Sequence, residues 1–505
     1  MKKTGKVYLV GAGPGDPGLL TIKGLECLQS AQVVIYDRLV NPYLLTLVSP
    51  LAERIYAGKS PRRHTLSQED INALLVKKAK AGKIVVRLKC GDPFLFGRGA
   101  EEALTLACCH IPFEVVPGVS SAFAVPSYAG IPLTHRGHTS SVGIFTGHED
   151  AAKQCSAIDW EKVSCGLGTL VFLMGVENLS EIVKNLIRYG RPRQTPCCVI
   201  QQGSLPEQKT VSADLATIVD KARKENITPP AICVVGEVVS LRKEINWFET
   251  KPLFGKKILI TRPSENEEHA LSRLLTAYGA SCTEFPVVEI KPLASYVSLD
   301  RIIKQIDRFD WVIFTSQNGV RFFNTRLAFQ KKDWRILQDI KLAAIGPRTA
   351  AAIKAFGIRV DSEARTFCQE GLLEQFRKIK VKGKSIALVR AQEARDILPQ
   401  GLKKMGAAVT LAPAYRTVAK SSPKAAVGFL ADFDSISFTS SSCVQGFFNI
   451  FSTKAIKSRK NKFKVASIGP ITSKTARGFG LKVDIEATEY TFDGLAQAIA
   501  GYYKK

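Results

Sequence analysis

The sequence predicts an α/β protein of several domains built largely on parallel sheets. Three observations carry that prediction. Short apolar runs alternate with helical patterns from end to end, the mark of βα layers. The chain has 505 residues, which is three or four domains at about 100–200 residues each. The later half also contains an internal repeat of a length that indicates duplicated lobes rather than a solenoid.

The first strand is "VYLV", and the turn "VGAGPGDPGLL" (Val10–Leu20) leads from it into the helical "TIKGLECLQSA". A glycine turn between strand and helix resembles the dinucleotide fingerprint, whose third glycine lets helix and strand pack closely. Gly11 and Gly13 fit that pattern and supply a sharp turn, but Asp16 stands at the third position. A carboxylate there repels a pyrophosphate, so the loop is expected to admit a ligand that is not a phosphate. Further on, "IYDRLV" ends a strand at Asp37 and Arg38, and "VVRLKCGDPFLFGRGAEE" (Val85–Glu102) is a strand running into a second Gly-Asp-Pro turn. Near residue 250 the pattern breaks. "LRKEINWFETKPLFGKK" reads as a charged, aromatic connector, and "ILITRP" at Ile258 opens a new alternating series.

That second series repeats. "FDWVIFTSQNGVRFF" (Phe309–Phe323) matches "FDSISFTSSSCVQGFF" (Phe433–Phe448), and "KLAAIGPRTAAAIKAFGIRV" (Lys341–Val360) matches "KVASIGPITSKTARGFGLKV" (Lys464–Val483). In each copy a buried strand ends in Thr-Ser and a helix follows. Hydroxyls and free backbone N–H groups thus meet at helix starts, which suit anions. The plainer alternative is that these serines are only N-caps.

Composition narrows the chemistry. Apolar residues make up 45% and charged residues 23% of an ordinary globular chain. No run of about 18 apolar residues suggests a membrane span, and the glycines of the first turn interrupt anything resembling a signal peptide, so a cytoplasmic address is expected. The twelve cysteines include no C-x-x-C, and the six histidines no H-E-x-x-H. No metal site is expected, and the thiols read as free. The net charge of +26 favours polyanionic partners: nucleic acid, an anionic membrane, or a small molecule rich in carboxylates or phosphates. The cations are dispersed, without a zinc-finger spacing, an RNP motif or a basic tail, so nucleic acid is not the expected partner.

Taken together, the first turn, "YDRLV", "YAGKS", the Gly-Asp-Pro stretch, "VVPGVSSAFAVPSYAGIPLTHRG", "FLMGV", "QQGSLPEQ" and "TPPAICVVGEVV" resemble the uroporphyrinogen-III C-methyltransferases over about Lys6 to Val239. The resemblance implies a two-lobed tetrapyrrole methylase fold and S-adenosylmethionine (SAM) as methyl donor. It also implies two methyl transfers to uroporphyrinogen III, at C2 and C7, giving precorrin-2, and a homodimer through this half. By the same resemblance Asp37 is the proton acceptor, Lys59 the proton donor, and Arg38 a substrate contact. SAM contacts carry over to Pro14, Cys90, Gly91, Asp92, Leu95, Ser120, Ser121, Met174 and Gly203. Cys90 stands where the family usually has glycine, and Ser120–Ser121 where it usually has Thr-Ala. Another precorrin as substrate is the alternative within this fold.

From about Gly255 to Leu495, "ILITRP", "FTSQNGV", "AAIGPRTA", "ALVRAQEARDILP", "PAYRTV", "FTSSSCV" and "SIGPITS" resemble uroporphyrinogen-III synthase. The resemblance implies two lobes with parallel sheets, joined by strands at "FPVVEI" and "PAYRTV". It implies cyclisation of hydroxymethylbilane with inversion of ring D, and no cofactor in this half. Tyr415 is then the residue that assists loss of the hydroxyl, while Ser316, Thr349, Ser440 and Thr472 bind substrate carboxylates. Ile471 follows "GP" where relatives often carry a polar residue. The expected organisation is a methylase over 1–245 (lobes about 1–117 and 118–245), a linker over 246–255, and a synthase over 256–505. The synthase lobes are expected at about 256–286 plus 419–505, and at 290–413.

Overall fold

The computed structural model describes residues 4–58, 66–147, 158–263, 269–364, 368–419, 427–451, 456 and 463–504. The chain forms two compact units. One comprises Met1–Gly255 with Tyr278–Ser281, and the other Lys256–Ala277 with Cys282–Lys505. No helix among the described residues is long and apolar enough to cross a membrane.

The first unit holds two sheets. Strands β1 (Lys6–Gly11), β2 (Val33–Tyr36), β3 (Glu53–Tyr56), β4 (Ile84–Lys89) and β5 (Phe113–Val116) form the first, in the order β3-β2-β4-β1-β5. All its pairings are parallel. Helices cover both faces, so Val7, Leu9, Val33, Ile35 and Val85 sit in one core, and Val10, Val34, Val86 and Leu88 in another. This is why the strands read as continuous apolar runs.

The second sheet departs from the parallel expectation. Its strands are β6 (Val142–Thr146), β7 (Thr169–Leu173), β8 (Pro196–Gln201), β9 (Lys209–Asp214) and β10 (Ala231–Val235), in the order β6-β7-β10-β8-β9. Only β6 and β7 run parallel, and β10 is antiparallel to both β7 and β8. Strands β8 and β9 are antiparallel too. A parallel pair needs a crossover of about a dozen residues or more, and the short stretch between Gln201 and Lys209 cannot supply one.

The stretch expected as a connector is folded onto this unit. Phe248 is buried, and its ring lies 4.8 Å from that of Tyr128, with Trp247 5.1 Å from the same ring. The indole N–H of Trp247 donates to the carbonyl of Ser127 at 2.9 Å. Glu249 accepts from Arg242 and, at 2.8 Å, from Gln208.

The second unit is one ten-stranded sheet. Its strands are β11 (Lys257–Pro263), β12 (Ser281–Lys291), β13 (Trp311–Phe314), β14 (Lys341–Ala344), β15 (Ser362–Glu363), β16 (Ser385–Ala391), β17 (Ala408–Ala419), β18 (Ser435–Phe438), β19 (Lys464–Ser467) and β20 (Ile485–Glu486). Their order is β15-β14-β13-β16-β17-β12-β11-β18-β19-β20. The order mirrors about its centre: β13, β14 and β15 answer β18, β19 and β20, the strands of the sequence repeat. Each flank is parallel. The long central strands β12 and β17 pair antiparallel from Val288↔Ala419 to Lys291↔Arg416.

Candidate functional sites

In a parallel sheet ligands collect beyond the carboxyl ends of the strands. In the first unit β1, β2 and β4 end side by side at Gly11, Tyr36 and Lys89. Three backbone segments then converge. A Cβ on Gly11 would sit 2.5 Å from the Cα of Gly118, and one on Gly118 would sit 2.4 Å from the carbonyl oxygen of Gly91. Gly11 therefore serves close approach, not the sharp turn expected of it. The turn belongs to Gly13, whose φ is +75°. Gly91 donates to the carbonyl of Gly13 at 2.8 Å, locking the two glycine turns together.

Asp16, read from sequence as a group that repels phosphate, is a clasp. One carboxylate oxygen accepts from the Gly18 N–H at 2.7 Å, and the other from the Tyr128 hydroxyl at 2.7 Å. Its own N–H donates to Ser204 Oγ at 3.2 Å. Burial, with the Asp16 charge behind it, pushes the Tyr128 phenol above its ordinary range.

Gly91 borders a cavity of about 1270 Å³, whose lining does not include Gly11, Gly13 or Gly118. Of the expected residues, Asp37, Arg38, Cys90, Gly91, Asp92, Leu95, Ser120, Ser121 and Met174 line it. Pro14 and Gly203 do not. Pro14 precedes Gly15, whose carbonyl accepts from Asn41 at 2.7 Å. Gly203 backs onto Val125, with which a Cβ would collide at 2.2 Å. Lys59 lies outside the described residues.

The lining residues differ in what their side chains do. Asp92, expected among the SAM contacts, also shapes the turn: its oxygens each accept a backbone N–H, from Phe94 at 2.8 Å and Gly118 at 3.1 Å. Ser120 caps the helix Ser121–Tyr128 by accepting from Ala122 N–H. Met174 is half-exposed and holds φ at +55°, a left-handed conformation costly for a side chain of its kind and characteristic of functional positions. Burial pushes the Cys90 thiol up to about 11.

Sequence reasoning passed over the charge cluster behind Asp37. Arg87 and Lys89 fall two apart on β4, alternating with the buried Val86 and Leu88. Two cations on one side of a buried strand require buried anions, and that spacing was the available signal. The buried Glu102 answers both. Its Oε1 lies 3.0 Å from Arg87 Nε and 2.9 Å from Lys89 Nζ, and Gln68 donates to the same oxygen at 3.2 Å. Arg87 reaches Asp37 Oδ1 at 2.6 Å through its second arm. Burial, and then the Arg87 charge, lowers the pKa of Lys89. No group of His, Cys, Asp and Glu among the described residues could hold a metal ion.

In the second unit Ser316 and Ser440 cap matching helices with nearly identical backbones, at φ −167° each, accepting from Gly319 and Cys443 N–H. Their hydroxyls then diverge. Ser316 Oγ lies 2.9 Å from the hydroxyl of Tyr415, whereas Ser440 Oγ lies 2.9 Å from Ser442 Oγ. Tyr415 is buried, and its ring stacks on Phe322 at 5.8 Å. A register shift between β16 and β17, from Arg390↔Pro413 to Ala391↔Tyr415, re-aims it. The matching position in "FPVV" is the buried Val288, so the two lobes are not equivalent. Thr349 and Thr472 are buried in the first turns of their helices.

Comparison with known proteins follows this division. Residues 6–219 match the model of the tetrapyrrole (corrin/porphyrin) methylases, and residues 269–497 that of uroporphyrinogen-III synthase HemD. The chain is 37% identical over 494 residues to the porphyrin biosynthesis protein HemD of Ruminiclostridium josui, covering 97% of each. It is 44% identical over 368 residues to the uroporphyrinogen-III C-methyltransferase of Bacillus subtilis (strain 168), covering 72% of this chain and 75% of the relative. It is 50% identical over 237 residues to the S-adenosyl-L-methionine-dependent uroporphyrinogen III methyltransferase of Methanosarcina barkeri (strain Fusaro / DSM 804), covering 47% and 93%. Two units of these two kinds, matched along nearly the whole chain, make this an enzyme of tetrapyrrole biosynthesis, of the family that joins a tetrapyrrole methylase to a uroporphyrinogen-III synthase.

Proposed function

We propose that the second unit closes hydroxymethylbilane to uroporphyrinogen III with inversion of ring D, and that the first unit methylates that product at C2 and C7 with SAM to give precorrin-2. The activities are assigned to the two compact units, the first comprising Met1–Gly255 with Tyr278–Ser281. The observation that carries the reading is the carboxylate of Asp37, held by Arg87 on the wall of a large cavity that Gly91, Ser120, Ser121 and Met174 also line.

The residues present fit SAM. Gly91, whose positive φ disfavours any side chain, lines the cavity together with Ser120, Ser121 and the left-handed Met174, and the Gly11–Gly118 crossing against Gly91 leaves no room for side chains there. SAM supplies an electrophilic methyl group on a sulfonium. The chain's part is to hold donor and pyrrole carbon in line and to exclude water. Asp37 takes the proton that the methylated pyrrole ring sheds, acting as general base. Arg38, beside it on the cavity wall, pairs with a substrate carboxylate.

In the second unit Tyr415 assists departure of the hydroxyl of hydroxymethylbilane, with its phenol held by Ser316. Ser440, Thr349 and Thr472 stand at helix starts, which suit carboxylates. Holding the folded polycarboxylate in one conformation is the main contribution of this unit.

The test supplies hydroxymethylbilane and SAM to the purified chain and identifies the tetrapyrrole formed. Precorrin-2 is expected. Asp37→Ala should accumulate uroporphyrinogen III, and Tyr415→Phe should spare methylation of uroporphyrinogen III added directly. Unmethylated product from the wild-type chain overturns the methylase assignment. The homodimer expected through the first unit is checked by sedimentation.

A further inference from the structure

We propose that Arg87 is the positioning residue of the methylation step, holding the Asp37 carboxylate in line with the cavity through a buried frame made by Glu102 and Lys89. The inference rests on the reading of Asp37 as proton acceptor and adds the device that aims it.

Asp37 follows the last residue of β2, its side chain is 30% exposed, and it pairs with Arg87. Arg87, by contrast, is 2% exposed. Its guanidinium is planar, and its fork is engaged on both sides: Nε on Glu102 Oε1 at 3.0 Å and Nη2 on Asp37 Oδ1 at 2.6 Å. A third, longer contact runs from Nη1 to the carbonyl of Ile35 at 3.5 Å. Glu102 is itself immobilised by Lys89 and Gln68. The frame holds two cations and two carboxylates, Asp37 included, so its formal charges cancel. It is built from β4 and the helix Gly99–Cys108, rigid elements that fix a site more closely than loops do. Lysine at position 87 has one compact ammonium and no fork, so it cannot hold Glu102 and Asp37 in the same geometry.

The test is Arg87→Lys beside Asp37→Asn, in the full chain, with uroporphyrinogen III and SAM supplied. Positioning predicts that Arg87→Lys lowers methylation kcat by about 10²-fold, the scale of an ångström-level misplacement. KM and the SAM dissociation constant should stay within about two-fold, since merely structural loosening would weaken SAM binding as well. In the Asp37→Asn background the same change should cost nothing further in residual rate. A kcat for Arg87→Lys within about three-fold of wild type overturns the proposal even if Asp37→Asn is inactive. A further drop in the Asp37→Asn background also overturns it, because Arg87 then acts other than through Asp37. Full activity of Asp37→Asn overturns the underlying reading and this inference with it. If Arg87→Lys fails to fold, judged by loss of SAM binding and circular dichroism, the paired Arg87→Gln, Glu102→Gln change removes one buried charge of each sign and is held to the same criteria.

Discussion

Replacing Asp16 tests whether the first glycine loop is a clasp or a phosphate cradle. Asp16→Ala removes the cap on the Gly18 N–H and the acceptor of the Tyr128 hydroxyl. Loss of a cap costs about 1 kcal/mol, and a hydrogen bond to a charged acceptor contributes about 1.5–3 kcal/mol. Asp16 is only half-buried, so the lower end applies and the sum is about 2–3 kcal/mol. For a unit of this size each kcal/mol moves Tm by about 2–4 °C, giving a fall of about 5–10 °C. Tyr128→Phe keeps the ring between Trp247 and Phe248 and loses only the hydroxyl, for about 1–2 kcal/mol. Because both changes break one bond, the double variant should be less destabilised than the two singles added, by about 1 kcal/mol. The assay is thermal unfolding of the first unit followed by tryptophan fluorescence. Asp16→Gly, which completes the dinucleotide fingerprint, should destabilise the unit and create no affinity for NAD. Strict additivity of Asp16→Ala and Tyr128→Phe, or NAD binding by Asp16→Gly, refutes the clasp.

Other outcomes follow from the same geometry. Gly118→Ala places a Cβ 2.4 Å from a carbonyl oxygen, and should cost about 1–3 kcal/mol by overpacking and weaken SAM binding, measured by calorimetry. Tyr415→Phe should slow ring closure without abolishing it and cost only about 1 kcal/mol in the second unit, since the stack on Phe322 remains. Glu102→Gln leaves Arg87 and Lys89 without their buried anion and should cost about 3–5 kcal/mol at pH 7. Lys89 has a folded pKa below its ordinary 10.5, so between the two values the unfolded chain binds the extra proton and stability rises with pH. Losing Glu102 lowers the folded value further. The deficit against wild type should therefore be largest near neutral pH and shrink as pH rises toward 10.5, read from urea unfolding at a series of pH values. Maleimide should label the exposed Cys108 and Cys165 first and reach Cys197, Cys198 and Cys233 only on unfolding, as read by mass spectrometry.

Much of the fold was legible because its signals are local. Uninterrupted apolar strands give the parallel first sheet, and the two Phe-Asp…Thr-Ser copies give the mirrored flanks of the ten-stranded one. The serine caps were legible for the same reason: an N-cap is set by the residue and the three after it. What escaped depends on partners far away in the chain. Asp16 was read by what it would repel, because Tyr128, 112 positions on, could not be foreseen. Arg87 and Lys89 lay in plain view within "VVRLK", but without Glu102 and Asp37 around them they passed as two more of the dispersed cations. The antiparallel turn-back at β8–β9 was hidden because alternation alone does not tell strand direction. Tyr415 was singled out, but not the slipped register that aims it.

The folding of the connector onto the first unit bears on how the gene can be divided. Composition invites a break at the charged Leu241–Lys243 run. A fragment ending there would lack Trp247 and Phe248, leaving the Tyr128 ring bare, and would strip Arg242 of Glu249. A methylase fragment intended to stand alone should run at least through Gly255, and inactivity in a shorter one would reflect lost packing around Tyr128 and Arg242 rather than a missing partner enzyme.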